Sequence, residues 1–266
     1  MLGSLLGRLY RGAVSRLFGF DALLEQLETR LERRLPQAVR DEIAAALRDF
    51  MRGQHGRDFP MDVALAARFL AAASSAEYFA KSMRTAENLK TANALIEHAL
   101  ERCSVAGLVM EFGVYQGSTL RLIAGRVAQT VYGFDSFRGL PEDWTHFQRK
   151  ERFSLDGVPP QFSEANIALV PGWFDQTLPG FLAAHAGPAR FIHADADLYS
   201  STATILTALR GRIVSGTVIV FNEYFNYPGW EQHEFRAFAE FIRATGLRYE
   251  YLGFASAEFA VAVKIL

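Results

Sequence analysis

The chain has 266 residues, a length that suits one sizeable α/β domain with accessory helices, or two small domains. Half of the residues are hydrophobic and 13% are aromatic, so we expect a substantial buried core and no wholesale disorder. The formal net charge of −1 excludes the strongly basic footprint of a nucleic-acid-binding protein, and the single cysteine, Cys103, favours a reducing, cytoplasmic location because it cannot form an internal disulfide.

Residues 1–20 carry leucines at helical spacing, with arginines between them. The arginines argue against a signal peptide, and the sequence contains no apolar run of the roughly 20 residues that a transmembrane helix needs. The pattern predicts a basic amphipathic helix. We expect this helix to pack on its own domain or on a second copy, in a homodimer or higher homo-oligomer; contact with a membrane surface is the alternative.

Helices are predicted for the rest of the first hundred residues. They lie at 21–50, at 62–80 and at 89–100, the last with Thr85 as its cap. The polar segment 53–60, which contains two glycines and a proline, marks a boundary. We assign residues 1–84 to a helical extension that acts as a lid, and residues 85–266 to an α/β domain.

Short β-rich runs alternate with helices after Gly107. The predicted strands are residues 108–112, 131–134, 167–170, 191–194, 217–221, 248–252 and 259–265, and the predicted helices are 118–128, 176–184, 201–210 and 231–244. Helices between strands require crossover connections and therefore a mostly parallel sheet. Only a few residues join the last two strands, which requires an antiparallel hairpin. The expected fold is a doubly wound, mostly parallel, seven-stranded Rossmann-like α/β sheet that ends in this hairpin.

A glycine-containing segment, residues 111–119, follows the first predicted strand of this sheet and begins a helix. Gly113 allows a tight turn, and Gly117 lets a ligand approach the helix N-terminus, whose free N–H groups favour a carboxylate. Glu111 can bind an ammonium group, and the tail of methionine carries both groups. A dinucleotide-binding loop, which requires G-x-G-x-x-G, and a turn without a ligand are the alternatives. The candidate cofactor-binding residues are Glu111, Gly113, Tyr115, Gly117, Ser118 and Thr119.

Acidic and aromatic residues follow the next two predicted strands. Asp135 lies about twenty residues beyond the glycine turn, where a carboxylate can accept both hydroxyls of a ribose. Asp135 and the adjacent Ser136 therefore predict a nucleoside-containing cofactor, with a solvated strand end as the alternative. Trp173 follows the third strand and, with Trp144 and Trp230, is a candidate for a pocket wall.

Oxygen-bearing side chains follow the fourth and fifth predicted strands. Asp195 and Asp197 lie two positions apart, and Asn222 and Glu223 end the next strand. Ligands bind at the carboxyl ends of strands in open α/β sheets, so these oxygens predict Mg²⁺ or a similar cation, or a proton acceptor beside one. The structural alternative is that Asp197 caps the helix near Ser200 and that Asp195 satisfies a backbone turn.

Two histidines lie near the same strand ends. His193 falls inside the fourth predicted strand, where we expect a core residue. His233 follows the Asn222 strand end and is a candidate for contact with substrate and for a catalytic role.

The motifs together resemble the macrocin O-methyltransferase family, whose members include sugar O-methyltransferases of antibiotic pathways. The resemblance is carried, in this order, by Glu111-Phe112-Gly113-Val114-Tyr115-Gln116-Gly117, Phe134-Asp135-Ser136-Phe137-Arg138-Gly139-Leu140-Pro141, Pro171-Gly172-Trp173-Phe174, Asp195-Ala196-Asp197-Leu198-Tyr199 and Asn222-Glu223. It runs from about Thr85 to the C-terminus and does not cover the first eighty residues.

The resemblance implies a class I methyltransferase that binds S-adenosylmethionine on the first two motifs and Mg²⁺ on the last two. It makes Asp195 a metal ligand and Asp197 the general base, and it places the remaining ligands at Asn222 and Glu223. The family has an acidic pair there, so Asn222 is a departure that removes one negative charge, and we expect weaker metal binding. The implied acceptor is a hydroxyl of a sugar, on a secondary metabolite or a glycan.

Three rival functions remain open at this point. A metal-independent enzyme would methylate a more acidic hydroxyl, such as a phenol. An NAD(P)-dependent oxidoreductase would share the nucleoside site. A non-catalytic scaffold would keep the fold and bind a partner, and the change at Asn222 is compatible with it.

Overall fold

The structure, a computed structural model, describes residues 63–144 and 150–266. The predictions for the amphipathic helix at 1–20, the helix at 21–50 and the polar boundary at 53–60 lie outside the described residues. Within the described ranges, no helix combines the length and apolar character needed to cross a membrane.

Helices and strands alternate along most of the chain. The helices are α1 (Val63–Ser82), α2 (Ala92–Leu100), α3 (Ser118–Ala124), α4 (Phe174–Ala184), α5 (Tyr199–Ala208) and α6 (Glu234–Thr245), with a short 3₁₀ helix at Trp230–Gln232. The strands are β1 (Glu87–Asn88), β2 (Leu108–Phe112), β3 (Val131–Asp135), β4 (Ile167–Pro171), β5 (Ala189–Ala194), β6 (Val218–Phe221), β7 (Tyr249–Ala255) and β8 (Ala260–Ile265). Every strand predicted from the sequence is present, with ends that differ by a few residues at most.

The eight strands form one sheet in the order β1-β7-β8-β6-β5-β2-β3-β4. β8 runs antiparallel to both of its neighbours, and the other neighbouring pairs are parallel, so the predicted fold class is confirmed. The chain moves outward from β2 through β3 to β4 and then returns to pair β5 with the other edge of β2. The sheet therefore has its topological switch point between β2 and β5, and ligands of such sheets bind at this point.

The sheet has one strand more than the sequence predicted. Glu87 and Asn88 pair in parallel with β7, in the stretch that was expected to begin a helix. α2 begins at Ala92, and its cap is Thr91, whose hydroxyl accepts the N–H of Ala94 at 3.1 Å. The prediction of Thr85 as the cap was wrong because both threonines precede an alanine and then a polar residue, so the local pattern does not distinguish them.

The core lies on both faces of the sheet. Side chains alternate along β2, so Met110 and Phe112 pack under α4, α5 and α6, whereas Val109 packs under α2 and α3. α1 belongs to the predicted helical extension, yet it contacts the first of these faces. The hydroxyl of Ser75 accepts the N–H of Asn226 at 2.8 Å.

Candidate functional site

A cavity of about 630 Å³ opens at the carboxyl ends of the strands beside the switch point. Its wall comes from the ends of β2, β3 and β5, from the N-terminal turns of α4 and α5, and from the loop after β3. Seven residues predicted from the sequence line it: Gly113, Tyr115, Asp135, Ser136, Trp173, Asp195 and Asp197. The cavity lies where the topology of the sheet predicts a ligand.

Asp135 organises the turn that follows β2. Its Oδ2 accepts the backbone N–H groups of Val114 and Tyr115, both at 2.8 Å, and its Oδ1 accepts the N–H of Phe137 at 2.7 Å. β3 lies directly beside β2, which brings the carboxylate to the glycine turn. Oδ1 keeps one further acceptor site, so Asp135 can hold this turn and also accept one hydroxyl from a ligand in the cavity.

The two glycines of the first motif lie where any side chain would collide with other atoms of the protein. Gly113 has φ +90°, and a Cβ on it would lie 1.8 Å from the carbonyl oxygen of Asp195. Gly117 has φ +79°, and a Cβ there would lie 2.4 Å from the ring of Phe162. The sequence predicted a ligand beside Gly117. The ring of Phe162 lies there in the structure, and cofactor binding at Gly117 stays a prediction.

Glu111 lies away from the cavity. Its Oε1 accepts the hydroxyl of Thr119 at 3.0 Å, and its Oε2 lies 3.1 Å from Nδ1 of His193. Glu111 and His193 are directly opposite each other in β2 and β5, so their side chains meet on the same face of the sheet. Burial raises the pKa of Glu111, and the hydrogen bond with His193 opposes that shift. Glu111, Ser118 and Thr119 do not line the cavity, and their role in cofactor binding stays a prediction.

Three carboxylates converge beside the cavity. Ligand oxygens of Asp195, Asp197 and Glu223 all lie within 4.8 Å of one another. The parallel pairing of β5 with β6 aligns Ala194 with Phe221 and so brings the two strand ends together. Nδ2 of Asn222 donates to Oδ1 of Asp195 at 3.2 Å and to Oε1 of Glu223 at 2.9 Å. We call Asp195, Asp197, Asn222 and Glu223 the acidic centre.

Asp197 has an unusual backbone conformation for a residue other than glycine. Its φ is +58°, and the N–H of Leu198 donates to the carbonyl of Ala196 across it at 2.5 Å. Such strain is found mostly at functional sites. α5 begins at Tyr199 with Leu198 at its N-cap position and has no side-chain cap, so the alternative in which Asp197 caps this helix was wrong.

Burial and mutual repulsion raise the pKa values of the carboxyl groups in the acidic centre. Burial, followed by the charge of Asp195, raises the pKa of Asp197 to about 7, whereas the charge of Arg152 lowers it. Burial and the charges of Asp195 and Asp197 hold the pKa of Glu223 well above its usual range. Oε2 of Glu223 is buried and has no hydrogen-bond partner among the described residues. A cation or shared protons would relieve this repulsion.

Sequence reasoning missed a fourth buried carboxylate, Glu234, in the first turn of α6. Its Oε2 accepts the backbone N–H of Glu223 at 2.9 Å. Burial raises its pKa well above the usual range, and the backbone of Glu223 opposes the shift. An acidic residue in the first turn of a helix is common and usually exposed, so its pattern carried no signal.

The predicted aromatic residues and His233 have three different environments. Trp173 lines the cavity, whereas Trp230 is buried in the core, where its Nε1 donates to Ser74, so its assignment to a pocket wall was wrong. Trp144 and His233 both pack against Tyr227, with centroid distances of 5.9 and 6.0 Å. His233 does not line the cavity, and burial lowers its pKa. Among the described residues, no hydrogen bond joins His233 to the acidic centre.

The long connection between β3 and β4 forms part of the cavity wall. The resemblance includes its first residues, up to Pro141, in the second cofactor motif, but the sequence did not predict Phe153. Gly139, Leu140, Pro141 and Phe153 all line the cavity. The hydroxyl of Ser200, on α5, donates to Glu142 of this connection at 2.5 Å. Loops of such length are commonly lids over a binding site.

A family model described as "Macrocin-O-methyltransferase (TylF)" matches residues 64–248. The chain belongs to the macrocin-O-methyltransferase family. The resemblance seen in the sequence motifs is thereby confirmed, and the match also includes α1, which those motifs did not cover.

Two curated relatives are antibiotic-pathway methyltransferases. One, from Streptomyces olivaceus, is named 8-demethyl-8-(2,3-dimethoxy-alpha-L-rhamnosyl)-tetracenomycin-C 4'-O-methyltransferase and is 32% identical over 143 residues, which cover 45% of this chain and 54% of that protein. The other, demethyldecarbamoylnovobiocin O-methyltransferase from Streptomyces niveus, is 29% identical over 148 residues, which cover 47% of this chain and 55% of that protein. The chain thus spans about half the length of the curated relatives it matches.

A solved structure shares the fold over most of its length. The crystal structure of CalS11, a calicheamicin methyltransferase, matches with a TM-score of 0.51 at 20% identity, and the match covers 91% of this chain and 90% of that one. At this identity the likeness establishes the fold alone.

Proposed function

We propose that this protein is an S-adenosylmethionine-dependent O-methyltransferase whose acceptor is a sugar hydroxyl on a secondary metabolite. The observation that carries the proposal is the convergence of Asp195, Asp197 and Glu223 beside a cavity at the switch point of the sheet. Family membership and the sugar-containing acceptor named for the Streptomyces olivaceus relative support it.

The cavity has the features that the methyl donor requires. Oδ1 of Asp135 keeps an acceptor site for a ribose hydroxyl, and Trp173 and Phe174 provide aromatic walls for a planar base. Tyr115 and Gly113 line the part of the wall next to Asp195. We place the amino-acid tail of the donor along the 113–115 turn, where Asp135 fixes the backbone.

The acidic centre fits a hard divalent cation such as Mg²⁺. It offers oxygen ligands only, and Oε2 of Glu223 is buried without a partner among the described side chains. Asp195 and Glu223 would hold the ion, with the oxygen of Asn222 as a neutral ligand after rotation of its amide. When bound, the ion would lower the pKa of the acceptor hydroxyl by stabilising developing negative charge on its oxygen.

Asp197 is the group best suited to accept the proton. The acceptor oxygen attacks the methyl carbon of the donor, the carbon–sulfur bond breaks with its electron pair left on sulfur, and the hydroxyl proton passes to the carboxylate of Asp197. The products are a methyl ether and S-adenosylhomocysteine. In the metal-free site the pKa of Asp197 is about 7, and a bound cation would lower it, so the carboxylate form needed for a general base is available at neutral pH. Alignment of the two substrates in the cavity supplies much of the remaining acceleration.

Calorimetry and turnover test the proposal. Purified protein should bind S-adenosylhomocysteine and should transfer a labelled methyl group from S-adenosylmethionine to a glycosylated metabolite. The absence of heat with either the donor or its product would reject the enzyme and favour a scaffold. Turnover that EDTA leaves unchanged would remove the metal and favour a phenolic acceptor, while binding of NAD(P) in place of the donor would favour the oxidoreductase.

A further inference from the structure

Glu234 lies behind the acidic centre and contacts the strand end that carries Glu223. Its side chain has no exposed surface, and its Oε2 accepts the backbone N–H of Glu223 at 2.9 Å. One side chain of α6 thus fixes the backbone of a residue that supplies a carboxylate to the acidic centre.

The backbone carbonyl of Glu223 is also held by a hydrogen bond. The hydroxyl of Tyr227 donates to the carbonyl of Glu223 at 3.1 Å. Hydrogen bonds on both sides of one residue leave its peptide groups little freedom to rotate. Beyond the end of β6, the N–H of Asn222 still donates to the carbonyl of Ala194 at 2.9 Å, whereas both backbone groups of Glu223 are held by side chains.

We propose that Glu234 is a positioning residue that, together with Tyr227, clamps the backbone of Glu223 and so sets the spacing of the acidic centre. The proposal rests on the function proposed above only for what the acidic centre does. The clamp itself is a contact between a side chain and the backbone. Replacing a residue that hydrogen-bonds to a metal ligand typically lowers metal affinity or activity by about 10- to 100-fold.

Two substitutions separate the reach of this side chain from its ability to ionise. Glu234→Asp keeps a carboxyl group but shortens the side chain by one methylene, so its oxygen no longer reaches the N–H of Glu223. Glu234→Gln keeps the length and one acceptor oxygen but cannot ionise. Glu231→Asp is the matched control, because Glu231 is exposed three residues earlier.

The readouts are Mn²⁺ affinity by electron paramagnetic resonance and S-adenosylhomocysteine affinity by calorimetry. The clamp predicts that Glu234→Asp weakens Mn²⁺ binding by about 10- to 100-fold, that Glu234→Gln stays within about threefold of wild type, and that S-adenosylhomocysteine affinity is unchanged in both. Wild-type Mn²⁺ affinity in Glu234→Asp would overturn the proposal. So would an equal loss in both variants, or a parallel loss of S-adenosylhomocysteine binding.

A crystal structure of Glu234→Asp gives a readout that needs neither donor nor metal. We expect Glu223 and the 195–197 segment to be displaced from each other while the strands keep their places. An unchanged arrangement would overturn the clamp. If the wild type bound neither Mn²⁺ nor S-adenosylhomocysteine, the proposed function would fail, and this structure alone would still decide the clamp.

Discussion

The amide nitrogen of Asn222 lies 2.9 Å from Oε1 of the neighbouring Glu223 and donates a hydrogen bond to it. The same nitrogen donates to Asp195, so one neutral side chain bridges two carboxylates that would otherwise repel each other. The resemblance implies an acidic pair at positions 222 and 223. This chain has a neutral hydrogen-bond donor in place of one carboxylate, and that donor stabilises the centre when no cation is bound.

Replacing Asn222 with Asp should therefore lower the stability of the metal-free protein and raise its affinity for a divalent cation. We expect Asn222→Asp to bind Mn²⁺ about tenfold more tightly, because ligand charge strengthens the binding of hard cations, and to unfold at a lower temperature in EDTA. Titration calorimetry and thermal unfolding measure the two effects. Asn88→Asp, at an exposed edge strand, is the control for added charge. Unchanged Mn²⁺ affinity in Asn222→Asp would show that the amide lies outside the ligand set.

Replacing Asp197 with Asn should abolish most turnover and leave donor binding intact. The amide cannot accept the hydroxyl proton, and general-base catalysis contributes about 10²- to 10⁴-fold to rate. Asp156→Asn is the matched control, because Asp156 has a similar φ of +54° but does not line the cavity. Steady-state rates with S-adenosylhomocysteine calorimetry give both quantities. A variant Asp197→Asn with a wild-type rate would reject Asp197 as the base.

The metal-free protein should lose stability as the pH rises. Burial raises the folded-state pKa of Asp195, Asp197, Glu223 and Glu234 above that of unfolded carboxyl groups. Between pH of about 4 and the folded-state pKa values, the folded state then binds more protons than the unfolded state, and the free energy of unfolding falls with rising pH. The stabilisation is complete below about pH 4 and is lost as the pH passes through about 7 for Asp197.

Thermal unfolding in EDTA across this range is the measurement, and we expect a midpoint several degrees lower at pH 8 than at pH 5.5. Mg²⁺ should restore much of the loss at pH 8, because a bound cation replaces the protons. A midpoint that rises steadily with pH would contradict the assignment of buried, protonated carboxyl groups. Turnover should rise with pH through the pKa of Asp197, which lies at about 7 in the metal-free site and which a bound cation would lower.

A methyl group at position 117 should be costly. In Gly117→Ala the new Cβ would lie 2.4 Å from the ring of Phe162, on a backbone with φ +79°. We expect a loss of about 1–3 kcal/mol in the free energy of unfolding, from strain and overpacking together. Gly180→Ala is the control, because Gly180 lies in α4 with no atom within 4 Å of the added Cβ. Denaturant unfolding distinguishes the two, and equal stability of both variants would place Phe162 elsewhere in solution.

The order of the elements could be predicted from local patterns, because buried strands and amphipathic helices differ in their hydrophobic period. Asp135, Asp195 and Asp197 were found in this way, since each ends a strand and so had to lie at one edge of a parallel sheet. The edge strand at Glu87 escaped prediction because two residues have no period, and its pairing with β7 depends on residues far along the chain.

Hydrophobic period and strand ends, read from the sequence alone, determined the fold class, the edge of the sheet that holds the cavity and most of the acidic centre. Only the tertiary structure decided how the side chains are used there. Glu111 faces His193 because of the register between β2 and β5, and Phe162 covers Gly117 because the β3–β4 connection folds back over α3. Both outcomes, like the contact of Glu234 with Glu223, depend on groups that are distant in sequence, and spacing along the chain carries no information about such distances.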